Sequence, residues 1–160
     1  MGTGKSVVGR LLAQRLKWTF LDLDKAIEKE AGRSIPQIFA QEGEAGFRRR
    51  ESQAVVETVG LTDHVIATGG GVMADEANVQ TLRESGLLVC LTASPDVIMK
   101  RTAATLSARP LLSGADPRDR IEGLLKLRAP FYAKADVTVD TDNRSIEDVV
   151  EEILKKVSEK

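Results

Sequence analysis

One cysteine in 160 residues excludes an internal disulfide and suits a reducing compartment, the cytoplasm. That residue, Cys90, lies in the apolar run 87–91, where a buried thiol is expected rather than a nucleophile. There is also one histidine, His64, just ahead of another apolar run and expected at the surface without a chemical role. Neither sign of charge dominates: 23 Lys and Arg against 24 Asp and Glu leave a formal net charge of −1. A general basic surface is therefore missing and nucleic acid is not an expected partner, so any anion must be held by locally placed cations. No apolar stretch is long enough to span a membrane, and nothing has the form of a secretion signal, an internal repeat or a low-complexity tract. What remains, 42% hydrophobic and 29% charged residues, is the composition of one soluble globular domain over residues 1–160 with a substantial core.

The chemistry starts at the first residues. Gly2-Thr3-Gly4-Lys5-Ser6 runs straight into a helical pattern, which is the back half of a phosphate-binding loop. Its glycines let backbone N–H groups turn toward an anion, and the helix N-terminus adds a positive dipole end. Lys5 would reach the β- and γ-phosphates, and the Ser6 hydroxyl would sit on Mg²⁺. The first glycine of the full G-x-x-x-x-G-K-[ST] signature and the strand that normally feeds the loop do not appear.

Strands then alternate with helices. Trp18-Thr19-Phe20-Leu21-Asp22 reads as a short buried strand ending in the carboxylates Asp22 and Asp24, where open α/β sheets place their ligands. Asp24 could equally cap the helix 25–31. Ser34 caps a short helix bearing Pro36 and Phe39; Gly43 interrupts it, and a longer helix follows over 44–59. On that helix Phe47 and Glu51 stand at i and i+4 and Arg48 and Glu51 at i and i+3, whereas Arg49 and Arg50 are expected to point into solvent. The strand 65–67 leads into Gly69-Gly70-Gly71, a run that makes sense where backbone must approach a ligand closely. A helix over 75–84 capped by Asp75, a strand over 87–91 covered on both faces, and a helix opened by Ser94-Pro95 follow. Residues 102–117 are small and polar around Arg109-Pro110, a composition suited to a mobile lid that becomes protected when substrates bind. A helix over 118–129 stops before Pro130 and carries Arg128; a strand over 137–140 and an amphipathic helix over 145–157 close the chain. The order implies an α/β sandwich with a mainly parallel sheet, its right-handed crossovers bringing the loop, the Asp22/Asp24 pair and the glycine run to one edge.

Taken together, MGTGKS, FLDLD, SIPQIF, GEAGFRRRE, GGGV, ARPLL, LRAPFY and VDT, in that order, make the chain resemble shikimate kinase over essentially its whole length. The resemblance implies a three-layer P-loop kinase fold, five-stranded in the family, with a substrate-binding helical region at about 25–59 and a lid at about 102–117. It implies phosphorylation of the 3-hydroxyl of shikimate by ATP, with Mg²⁺, in aromatic amino-acid biosynthesis, by a cytoplasmic monomer without nucleic-acid or membrane partners. By the same resemblance Gly2, Thr3, Gly4, Lys5 and Ser6 handle the phosphates, and Ser6 and Asp22 serve the metal. Asp24 binds the shikimate hydroxyls and accepts the attacking proton. Arg48 and Arg128 grip the carboxylate, with Glu51 fixing Arg48. Phe39 and Phe47 wall the pocket, and Gly69, Gly70 and Gly71 contact substrate and γ-phosphate. Arg109 reaches the transferring group and Arg101 lies along the adenine. Lys5, Asp24 and Arg109 are thus the expected catalytic residues. Two other readings stand beside this one: a gluconate kinase-like P-loop enzyme, and a non-catalytic nucleotide-binding relative. The P-loop strand is expected between strands 65–67 and 87–91. About ten more apolar, β-branched residues are therefore expected ahead of Met1, and a chain without them is expected to be poorly stable and nearly inactive.

Overall fold

The structure, a computed structural model, describes residues 2–103 and 116–159. Helix α1 (Lys5–Leu16) starts at Gly4, whose φ of 89° only glycine adopts without strain, and has no acidic residue in its first turn. Strand β1 (Thr19–Asp22) pairs in parallel with β2 (His64–Ala67), from Thr19 opposite His64 to Asp22 opposite Ala67. Strand β3 (Val89–Thr92) pairs in parallel with β4 (Val137–Asp140) in the same fashion. Between the strands run α2 (Leu23–Ala31), α3 (Ile35–Val56), α4 (Glu76–Ser85), α5 (Pro95–Thr102) and α6 (Pro117–Tyr132), with α7 (Ile146–Ser158) last. The expected parallel α/β architecture is therefore present.

Three apolar clusters hold it. Leu23, Ile27, Ile38, Phe47, Val55 and Val72 join α2 and α3 under β1 and β2. Val8, Val137, Val139, Val149, Val150 and Ile153 join α1, β4 and α7. Ile98 and Ile121 pin α5 to α6. Among the described residues β2 pairs only with β1 and β3 only with β4. Between the two sheets lies a mostly apolar cavity of about 490 Å³, lined on one side by residues 65–67 and on the other by residues 88–92, with Thr3 and Lys5 also on its wall. Cys90 faces this cavity and is half-buried, not enclosed; burial still pushes its thiol above the ordinary range, which keeps it protonated and unreactive. The same opening explains why β3 is only partly covered, where two covered faces were expected.

Several boundaries differ from the sequence reading, each for a local reason. Trp18 precedes β1 and is 43% exposed. Asp22, not Asp24, caps α2: the chain is still extended at Asp22, so its carboxylate reaches forward to the N–H groups of Asp24 (3.1 Å) and Lys25 (3.4 Å). His64 is the first residue of β2, its ring 2.6 Å from the Thr62 carbonyl. The helices on either side of Gly43 follow one another as α3 with a kink there (φ 68°), and the second ends at Val56. Helix α6 continues through Pro130 to Tyr132. Pro130 and Lys126 are both exposed, so water can take the Lys126 carbonyl that the proline cannot serve.

Candidate functional site

Parallel pairing brings the C-terminal ends of β1 and β2 side by side, so Asp22 and Asp24 emerge next to residues 68–71. The N-terminus of α1 opens onto the same edge. A cavity of about 970 Å³ lies there, and its wall contains Gly2, Thr3, Gly4, Lys5, Ser6, Asp22, Asp24, Phe39, Phe47, Arg48, Gly69, Gly70, Gly71, Arg101 and Arg128. Every site residue expected from the sequence is on that wall except Arg109, which lies outside the described residues, as does most of the expected lid.

One part of the cavity wall is the start of α1. Gly2 (φ 63°) and Gly4 turn the backbone into the start of α1, whose first N–H groups and dipole face the opening. The Thr3 hydroxyl is buried there without a hydrogen-bond partner among the described residues. Ser6 Oγ donates to Asp22 Oδ2 at 2.6 Å, so one carboxylate joins the loop to the cap of α2. A hydroxyl beside a carboxylate is a hard-oxygen donor pair that suits Mg²⁺, a cation that keeps much of its water and shares phosphate oxygens. Among the described residues no group of three or more His, Cys, Asp or Glu is placed to hold a metal, so the protein could supply only part of such a shell. Arg101 donates to the Thr141 hydroxyl (2.9 Å) and carbonyl (2.7 Å).

Charged and aromatic side chains from α3 and α6 form another part of the wall. Arg48 donates to Glu44 at 2.9 Å and to Glu51, whose side chain is 2% exposed. Its guanidinium also lies 5.5 Å from the centre of the Phe47 ring, and Phe39 sits 4.9 Å from that ring. Burial pushes the Glu51 carboxyl above the usual glutamate range; the Arg48 and Arg128 charges pull it back, and Asp24 adds to the rise. Arg128, 7% exposed, comes in from α6. The glycine run is packed into this cluster: a Cβ on Gly69 would stand 2.5 Å from Glu51 Oε1 and 3.0 Å from Asp24 Oδ1, and one on Gly71 would overlap the Arg48 guanidinium. Two cations, two carboxylates and close backbone thus share one cavity wall with the loop at the start of α1.

A shikimate kinase family model matches residues 1–158. The chain belongs to the shikimate kinase family. It is 47% identical to a shikimate kinase of Symbiobacterium thermophilum, over 100% of this chain and 93% of that relative, and 46% identical to one of Thermus thermophilus, over 98% and 85%. A solved structure of shikimate kinase from Acinetobacter baumannii in complex with shikimate superposes with a TM-score of 0.95 at 38% identity, covering 99% of this chain and 89% of that one. A gluconokinase from Sinorhizobium meliloti, at 17% identity and a TM-score of 0.59, shares the fold alone.

For this shikimate kinase family member, sequence reasoning missed several residues on the same wall. Glu28 lines it while accepting from the Ile35 N–H (3.1 Å) and from Lys25 (2.7 Å); Arg144 and Ile146 line it too. Tyr132 donates its hydroxyl to the Gly70 carbonyl at 2.9 Å and so ties α6 to the glycine run. Only the Lys25–Glu28 spacing left a trace in the sequence; the Ile35–Glu28 bond crosses the turn after α2, and the Tyr132–Gly70 bond joins segments far apart in the chain.

Proposed function

We propose that this protein transfers the γ-phosphoryl group of ATP to the 3-hydroxyl of shikimate. The observation that carries this reading is one continuous cavity holding both a phosphate loop and the Arg48–Glu51–Arg128–Asp24 cluster. Phosphoryl transfer asks for positioning and charge neutralisation more than covalent chemistry, and this wall offers both. Arg48, steadied by Glu51 and Glu44, and Arg128 would take the substrate carboxylate, with Phe39 and Phe47 against the ring. Asp24 would orient the hydroxyl and accept its proton as the oxygen bonds to the γ-phosphorus and the β–γ bridging P–O bond breaks, releasing ADP. Gly69, Gly70 and Gly71 would offer backbone N–H groups. Lys5 would neutralise charge on the β- and γ-phosphates. Ser6 and Asp22 would hold Mg²⁺, which supplies Lewis-acid neutralisation of the phosphate oxygens when bound. Arg101 would flank the adenine, and Arg109 would add its charge on closure. The protein would work as a monomer in the cytoplasm.

A coupled ADP-release assay with shikimate, with gluconate and with neither tests this. Shikimate-dependent turnover is expected; turnover with gluconate alone, or none with either, would overturn the reading.

A sharper expectation concerns Gly71→Ala. The added methyl must push aside the Arg48 guanidinium, whose clashing nitrogen is the one that bonds Glu51, while the backbone can stay in place. The variant is expected to melt within a few degrees of the parent while its shikimate KM rises about tenfold or more, the equivalent of roughly 1.4 kcal/mol. An unchanged KM would show that Arg48 does not act from its observed position.

A further inference from the structure

Helix α3 is two rods. Gly43, with φ 68° and ψ −178°, breaks the helix between a first rod bearing Phe39 and a second bearing Phe47 and Arg48. The angle between the rods sets how far Phe39 stands from Phe47 and Arg48, and so the width of that part of the cavity. A glycine at such a joint leaves the angle free unless something else fixes it.

Something does, on residues that do not line the cavity. Glu42, the last residue before the kink, is held from two sides. Arg33, from the turn after α2, donates to its Oε1 at 2.7 Å and also to Gln41. Arg50, from the second rod, donates through Nε to Oε2 at 2.9 Å and through Nη2 to Oε1 at 3.0 Å, a two-pronged grip. The remaining Arg50 nitrogen donates to Glu30 of α2 at 2.7 Å. Arg50 is therefore not the solvent-facing residue expected from the sequence. Gly46 makes the fold-back possible, because a Cβ there would overlap the Cβ of Glu42. Half-exposed ion pairs of this kind add little to overall stability. A network spanning a glycine joint does something else: it selects one angle.

We propose that Arg33, Glu42 and Arg50 form a positioning lock that sets the kink of α3 and thereby the affinity for the acid substrate, with no contact to that substrate. The lock rests on the functional reading above only for the identity of the acid. Glu42→Gln keeps the length of the side chain and removes its charge; Arg50→Lys keeps the charge and loses the fork.

Both variants would be compared with the unmutated protein by steady-state kinetics at two salt concentrations and by hydrogen exchange. For Glu42→Gln, shikimate KM is expected to rise roughly five- to thirtyfold, with kcat and the ATP KM within about twofold; Arg50→Lys should fall between it and the parent. Added salt should raise shikimate KM more steeply in the parent than in Glu42→Gln, which has already lost the screened pairs, a difference that a merely structural residue would not produce. Amides of residues 39–47 should exchange faster in Glu42→Gln while those of α6 and α7 stay unchanged. Unchanged exchange at 39–47 would overturn the lock, as would parallel rises in both KM values with a lower melting temperature. The exchange measurement needs no turnover, so failure of the unmutated protein to phosphorylate shikimate would count against the functional reading and leave the lock to be decided by exchange.

Discussion

Arg48→Ala and Arg128→Ala are each expected to weaken shikimate binding by about thirtyfold to several thousandfold and to leave ATP binding nearly intact. Arg48 is fixed by Glu51 and Glu44 and backed by the Phe47 ring, so its charge is presented without a search through rotamers. Arg128 is buried and needs no further desolvation before it meets an anion. Losing one partner of a desolvated charge pair costs on the order of 2–5 kcal/mol, which is much of a micromolar affinity. Both residues are expected to serve the acid and not the nucleotide, hence the separation of effects. In Arg48→Ala the buried Glu51 also loses its main counter-charge, and its carboxyl is expected to rise further. Calorimetry with each ligand checks the prediction; equal losses of shikimate and ATP affinity would mean that these arginines serve the fold or the nucleotide.

The second large effect concerns the cavity between the sheets. Strands β2 and β3 both present an edge to it, and residues 65–67 and 88–92 line it with mostly apolar side chains. Joined to the protein, an apolar, β-branched segment able to run through this space is expected to raise the melting temperature by more than about 10 °C. Each buried backbone group that gains a partner is worth roughly 1–3 kcal/mol, and about 2–4 °C accompanies each kcal/mol in a chain of this size. A segment of the same length made of Gly and Ser is the control. Equal melting temperatures for the two extensions would show that the edges gain nothing from a strand.

What the sequence made legible is what chemistry writes locally. The phosphate loop, the Arg48–Glu51 spacing and the glycine run each depend on neighbours within a few residues, and all fall on one wall. The parallel α/β order was legible for a similar reason, since helical and strand periodicities alternate. Less legible was whatever depends on the path of the chain. Whether Asp22 or Asp24 caps α2 turns on where β1 stops being extended, a matter of one residue. Arg50 read as a solvated charge because its partner Glu42 comes within reach only after Gly43 folds the chain back. Tyr132 and Gly70 are 62 positions apart, and nothing in either segment announces the other.

The carboxylate of Asp22 divides its two oxygens between two tasks: one caps α2, the other receives the Ser6 hydroxyl. Helix α2 carries Asp24, proposed to meet the acid, and α1 carries Ser6, proposed to serve the nucleotide, and both are on the cavity wall. Any shift of Ser6 on loading the nucleotide is thus felt at the first turn of α2, and any settling of Asp24 on a hydroxyl is felt at Ser6. Thermodynamic reciprocity then fixes the outcome: the factor by which nucleotide sharpens affinity for the acid equals the factor by which the acid sharpens affinity for nucleotide. Titrations in the two orders would read one number, and in Asp22→Asn that number should fall toward unity.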